Sequence, residues 1–188
     1  MNEIIEKLVV QLSTAPFDPE LNFKCAVEYQ RLNQTASAVS FYLRAAEFGY
    51  ESHKDITYCS LLKIAECFSD QNDRQWNVTN YILHAVSYMP ERPEAYFLMS
   101  QYLEQTATWQ EAYTWAQMGL SKQSFNPLPA QTGYLGEYCL LFEKAISGWW
   151  IGRREESINI LETLLDKYEM REDYVNGCIY NLERIKGV

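Results

Sequence analysis

A small residue in one helical segment, followed 12 residues later by a small residue in the next, is the feature that most constrains this chain. Ala26 and Ala38 form one such pair, with Tyr29, Tyr42 and Ala45 around them. Ser100 and Ala112 form another, followed by Ala116 and Gly119, and Ala145 and Ser157 a third, with Gly152 in the turn between. Ala65 holds the same place in a further unit. Two helices cross closely only where no bulky side chain stands between them. A recurring small residue on both sides of a turn therefore marks a repeated helix–turn–helix unit. The small residues of successive first helices, Ala26, Ala65, Ser100 and Ala145, lie 39, 35 and 45 residues apart.

Stop and start signals divide the chain to match. Ile4, Ile5, Leu8, Val9 and Leu12 place one apolar face on a short helix over 2–13. Asp18 is a natural N-cap and Pro19 suits the first helical position. Repeats follow over about 19–50, 55–90, 93–120 and 137–168, and a helix over about 173–186 caps the end. Asn33-Gln34 marks the first internal turn, Gly49 a helix stop, and Arg92-Pro93-Glu94 a proline-initiated start. The expected architecture is all-α, a single domain over 1–188 in which about ten helices stack as antiparallel pairs in an α-solenoid. The pattern resembles the tetratricopeptide repeat (TPR), whose period is about 34 residues, with insertions here. The longest interruption, Ser121 to Gly136, holds Pro127, Pro129, Gly133 and Gly136. Phe125, Leu128, Tyr134 and Leu135 within it predict an ordered loop packed on the repeats to either side.

Composition narrows the function. A formal charge of −9 argues against a nucleic-acid partner, because phosphate contacts need clustered Lys and Arg, and equally against an anionic membrane surface. Five cysteines, at 25, 59, 67, 139 and 178, lack Cys-x-x-Cys spacing and read as buried free thiols of a reducing compartment, the cytoplasm. The charged residues Glu3, Glu6 and Lys7 make the N-terminal segment neither a signal peptide nor a membrane span. His53 and His84 stand apart without metal-ligand spacing, and no phosphate loop, nucleophile elbow or His-Glu-x-x-His motif occurs. Carboxylates such as Glu155-Glu156 read as solvated faces. The expectation is a protein that is not an enzyme, with no catalytic residue, cofactor or metal.

Binding is the better-supported activity. In stacked helix pairs the first helix of each pair lines a continuous face. The repeat frame places Phe23, Leu62, Phe97 and Phe142 in one row, Val27, Glu66, Gln101 and Ile146 one turn on, and Gln30, Ser69, Glu104 and Trp149 beyond. The expected site is a concave groove with apolar anchors at Phe23, Leu62, Phe97 and Phe142. Gln101 and Glu104 would fix a bound main chain. Of Trp149 and Trp150, about 100° apart on a helix, one faces the core and the other is free for a partner.

Particular phrases carry a narrower resemblance. Glu28-Tyr29-Gln30-Arg31-Leu32, Thr35-Ala36-Ser37-Ala38 and Phe41-Tyr42-Leu43-Arg44-Ala45-Ala46 are similar to helical repeat segments that accompany glycosyltransferases in large viruses, phages and some bacteria. So are Arg92-Pro93-Glu94-Ala95-Tyr96 and Phe142-Glu143-Lys144-Ala145-Ile146-Ser147. The resemblance implies a helical repeat fold over roughly 20–185 and a stand-alone partner or scaffold. Sugar transfer in that family belongs to a separate domain with an Asp-x-Asp motif, which this sequence lacks, so no catalytic residue carries over. Three functions follow: an adaptor binding a segment of a protein partner, an accessory subunit of glycan-modifying machinery, or a phage or virus assembly component that self-associates.

Overall fold

The computed structural model describes residues 3–71, 74–123 and 126–186. Ten helices and no strand occur among them. In chain order they are α1 (Glu3–Thr14), α2 (Pro19–Arg31), α3 (Thr35–Gly49), α4 (Lys54–Ser69), α5 (Gln75–Tyr88), α6 (Glu94–Gln105), α7 (Trp109–Gly119), α8 (Glu137–Trp150), α9 (Arg154–Lys167) and α10 (Glu172–Lys186). The helices form two compact units, Met1–Pro90 with Phe125–Thr132, and Glu91–Ser124 with Gly133–Val188.

The predicted signals act where the sequence places them. The Asp18 carboxylate accepts the Leu21 N–H at 2.9 Å, which satisfies one of the four donors left over at the start of α2. Three turns between paired helices are built alike. Asn33, Ala107 and Gly152 each adopt a left-handed backbone, with φ of 56°, 55° and 87°. In each, the left-handed residue's N–H reaches the carbonyl three residues back and the next N–H reaches five back: Gln34 to Tyr29 at 3.0 Å, Thr108 to Leu103 at 2.9 Å, Arg153 to Gly148 at 2.9 Å. Gly49 ends α3 for another reason. A Cβ there would lie 3.1 Å from Thr57 Oγ1 and 3.2 Å from Pro19 Cβ, so the residue serves a close approach of chains rather than a left-handed stop.

In the first unit α3 packs between α2 and α4, α5 lies on α4, and α1 on α2. Ala26 and Ala38 are fully buried at the α2–α3 crossing. Beside them the buried ring of Tyr42 meets Phe23 edge-on at 5.6 Å and donates its hydroxyl to Gln30 Oε1 at 2.7 Å. Burial then raises the Tyr42 pKa far above that of a free phenol. The Thr57 hydroxyl donates to the Ala46 carbonyl at 3.2 Å and ties α4 to α3.

The second unit repeats the scheme, with α7 between α6 and α8 and with α9 and α10 against α8. Here the 12-residue interval has a direct chemical meaning, because the buried Ser100 hydroxyl donates to the Ala112 carbonyl at 2.8 Å. Phe97, Leu140, Leu161 and Leu164 form the core with the thiols of Cys139 and Cys178. Arg92 and Glu94, both buried, pair at 2.6 Å at the start of α6.

The interruption between α7 and α8 has definite packing on both sides of Gly133. Pro129, Ala130 and Thr132 belong to the first unit, and the Tyr134 ring rests 5.7 Å from Phe97 in the second. Phe125 lies outside the described residues.

Candidate partner-binding surfaces

The first unit carries an open cleft of about 470 Å³. Phe23 and Val27, one helical turn apart on α2, form its floor, flanked by Ile4 and Leu8 of α1, Ile56 of α4 and Pro129. A volume of this size accommodates several side chains. Its charges stand at the rim: Glu20 pairs with Lys24 at 3.4 Å, and Glu28 with Arg31 at 2.7 Å. The cleft is therefore an apolar trough edged by charges that are already paired. Next to it, the Cys59 thiol of α4 donates to the Ala130 carbonyl at 3.7 Å.

In the second unit the corresponding helices, α6 and α8, present Gln101, Glu104 and Ile146, all half-buried. Beside Glu104 lies Glu143, 3% exposed, with its Oε2 accepting no hydrogen bond among the described residues. Burial, then the neighbouring Glu104 carboxyl, raises the Glu143 pKa well above the usual carboxylate range. A smaller cleft of about 200 Å³ opens between α8 and α10, lined by Ile146, Trp149, Trp150 and Arg184.

The predicted anchor row turns inward. Leu62 and Phe97 are each 1% exposed and Phe23 5%, so Leu62 and Phe97 are core residues and Phe23 reaches only the cleft floor. Phe142 is half-buried, its ring edge-on to Tyr174 at 5.2 Å and seated on Gly177, where a Cβ would come within 3.0 Å. The row one turn further on, Val27, Glu66, Gln101 and Ile146, holds the half-exposed positions. Four residues advance about 400°, so a step of one turn rotates the row about 40° outward. The two indoles divide the work. Trp149 is half-buried beneath the Arg154 guanidinium at 5.0 Å, while Trp150, 61% exposed, stacks on Trp109 at 5.2 Å.

Glu155 is exposed, but Glu156 is more than a solvated face. It accepts the Tyr113 hydroxyl at 3.0 Å and pairs with Lys144 at 2.8 Å, joining α9 to α7 and α8. Burial pushes the Glu156 carboxyl up, yet the hydrogen bonds from Lys144 and Tyr113 outweigh it and hold its pKa below the ordinary value.

Sequence reasoning missed Ile4, Leu8 and Pro129 as cleft residues because they lie on the preceding helix and on the interruption, outside the repeat frame, and it missed Ile56 because that residue stands at the start of α4, ahead of the row the frame singles out. It also missed Glu143, whose burial no periodicity announces. All five cysteines are buried, and none forms a disulfide. Burial pushes the Cys25, Cys67 and Cys178 thiols up to about 11, far from the thiolate form that reacts. The arrangement offers apolar seats for a partner's side chains.

No family model and no curated protein matches the sequence. Solved structures do match. MamA superimposes with a TM-score of 0.63 at 13% identity, over 89% of this chain and 85% of that one. TTC0263, a thermophilic TPR protein of Thermus thermophilus, superimposes with a TM-score of 0.60 at 12% identity, over 95% and 88%. The fold is that of TPR proteins. A chain of the APC/C hetero-tetramer Cut9-Hcn1 matches with a TM-score of 0.65 at 12% identity over 96% of this chain, which spans 33% of that one. No helix among the described residues is long and apolar enough to cross a membrane.

Proposed function

We propose that this chain is a non-catalytic protein-interaction module that takes an apolar segment of a protein partner into the first unit's cleft. The observation that carries the reading is the trough itself: Ile4, Leu8, Phe23, Val27 and Ile56 gather from three helices around an open space whose rim charges are paired. Desolvating such a floor against an apolar side chain gains about 25 cal/mol per Å² without breaking an ion pair. That one structural neighbour was solved as the hetero-tetramer Cut9-Hcn1 supports the same use of the fold. Gln101, Glu104 and the exposed Trp150 give the second unit a further contact surface. A partner from glycan-modifying machinery is one class that the reading admits, supported by the sequence phrases alone.

The test is a pair of charge insertions. Val27→Glu and Ile56→Glu should leave the helical spectrum unchanged and raise the Kd of a partner identified by affinity capture at least tenfold, about 1.4 kcal/mol. Unchanged affinity in both variants would remove the cleft from consideration. Sedimentation of the same variants reads the self-associating alternative, which requires the wild-type chain to form assemblies that the variants lose.

A further inference from the structure

The second unit holds two positive charges that its own carboxylates leave unmatched. Arg92, Lys144, Arg153 and Arg171 each pair with a carboxylate. Arg154 and Arg184 are held by aromatic rings instead. The Arg154 guanidinium lies over the Trp149 indole at 5.0 Å. That of Arg184 lies over the Tyr180 ring at 5.4 Å and donates Nη1–H to the Tyr180 hydroxyl at 2.9 Å. Both arginines are exposed, and neither forms an ion pair among the described residues, although Glu155 and Glu183 stand beside them in sequence. The chain has 25 acidic residues against 16 basic ones, so no shortage of carboxylates explains it. A guanidinium stacked on a ring uses its face and keeps in-plane N–H groups, the fork that grips a carboxylate.

The two arginines stand at an apolar opening. Arg184 and Trp149, the indole under Arg154, both line the cleft between α8 and α10. Ile146, Leu161 and Ile185 line it as well, with Trp150, which is 61% exposed and stacked on Trp109. At about 200 Å³ the cleft is smaller than the roughly 300–1,000 Å³ of small-molecule sites, so its size suits an inserted side chain rather than a whole cofactor. An occupant matched to it brings an apolar side chain for the lining and a negative charge for the guanidinium groups.

We propose that the cleft between α8 and α10 is a second docking site, for a segment of a protein partner in which a large apolar residue stands next to Asp or Glu. The apolar residue enters the cleft, and the neighbouring carboxylate is taken by Arg184, with Arg154 on the Trp149 side. Exposed ion pairs add little affinity by themselves, so the apolar residue anchors the segment and the arginines select for its acidic neighbour. The site is complete within the second unit and does not depend on the first unit's cleft.

The probe is a fluorescein-labelled decapeptide, Gly-Ser-Gly-Phe-Glu-Glu-Leu-Gly-Ser-Gly, amidated so that no terminal carboxylate competes. It is titrated against the full chain by fluorescence polarisation, beside a peptide with Gln in place of both Glu residues. The acidic peptide should bind saturably with a Kd below about 1 mM. The Gln peptide, and the Arg184→Glu and Trp150→Ala chains, should each show at least tenfold weaker binding. Added salt should weaken the acidic peptide more than the Gln peptide. Equal affinity for the two peptides, or no saturation, would overturn the proposal. So would binding that is lost in Val27→Glu but kept in Arg184→Glu, which would put the peptide in the first unit's cleft. Should Arg184→Glu lose its helical spectrum, Arg154→Glu decides by the same criterion, since an acid suits the first turn of α9.

Discussion

Glu143 on α8 sets its buried side chain against Glu104 on α6, carboxyl to carboxyl, and its Oε2 meets no donor among the described residues. Two ionised carboxylates in that position would repel and leave a buried charge without compensation. A protonated Glu143 removes both penalties, since its hydroxyl can donate to Glu104. Burial and the facing Glu104, with Cys139 on the same helix, all raise its pKa, and Tyr174 of α10 is the other titratable group that feels it.

The sign of the pH dependence follows. A pKa raised in the folded state means that the native chain binds the proton more tightly than the unfolded chain. The contribution is fully present below the unfolded value, about 4.3, and is lost as pH rises towards the folded value. Between the two the slope approaches about 1.4 kcal/mol per pH unit. Glu143→Gln keeps a donor for Glu104 and cannot ionise. It should match wild type near pH 4 and become progressively more stable than wild type as pH is raised, as read by urea denaturation. A constant difference between the two chains from about pH 4 to 8 would show that Glu143 is not held neutral.

The left-handed turns make a second prediction. Ala107 has φ of 55° and is exposed, whereas the equivalent turn after α8 uses Gly152. A Cβ in this conformation costs about 1–2 kcal/mol, partly offset by the extra chain entropy that glycine loses. Ala107→Gly should therefore stabilise the chain by about 0.5–1 kcal/mol, and Gly152→Ala should destabilise it by about the same amount. Because nothing lies within 4 Å of a Cβ at Gly152, the effect there is purely one of backbone conformation. Equal denaturation midpoints for all three chains would contradict the φ values.

The small residues at the crossings make a third. Ala26 and Ala145 are buried, and a Cβ on Gly119 would lie 2.7 Å from Leu140 Cδ2 and 2.9 Å from Tyr96 Cβ. Ala26→Leu, Ala145→Leu and Gly119→Ala should each cost about 1–3 kcal/mol. For a chain of this length that lowers Tm by about 2–4 °C per kcal/mol. Melting curves that coincide with wild type would mean that these crossings are loose.

Those small residues are also why the fold was legible. Spacing between alanines, serines and glycines reports how closely backbones approach, and caps such as Asp18-Pro19 report where helices begin; both act locally. The site was less legible because it depends on rotation and on distant chain. A helix turned by about 40° exchanges Phe97 for Gln101 at the surface, and no cap or period fixes that angle to better than one residue. The cleft draws Ile4 and Leu8 from α1 and Pro129 from the long connection, a juxtaposition that only tertiary packing creates. Glu143 looks like any helical carboxylate until its burial is seen.

The contrast between Phe97 and Trp150 tests that rotation directly. Phe97 is 1% exposed against Tyr134 and within the second unit's core, so Phe97→Ala should cost about 3–5 kcal/mol, a large fraction of the roughly 5–15 kcal/mol typical of a domain. Trp150 is 61% exposed and loses only its stacking on Trp109, a contact worth about 0.5–1.5 kcal/mol beyond its buried area. Urea denaturation should thus separate the two variants by about 1.5–4.5 kcal/mol, with Phe97→Ala the weaker chain. In a binding assay the order reverses: Trp150→Ala is the variant able to lose partner affinity while its midpoint stays near wild type. A Phe97→Ala chain as stable as wild type, with its partner affinity lowered, would show that the anchor row faces outward and that the second unit presents its aromatics to a ligand.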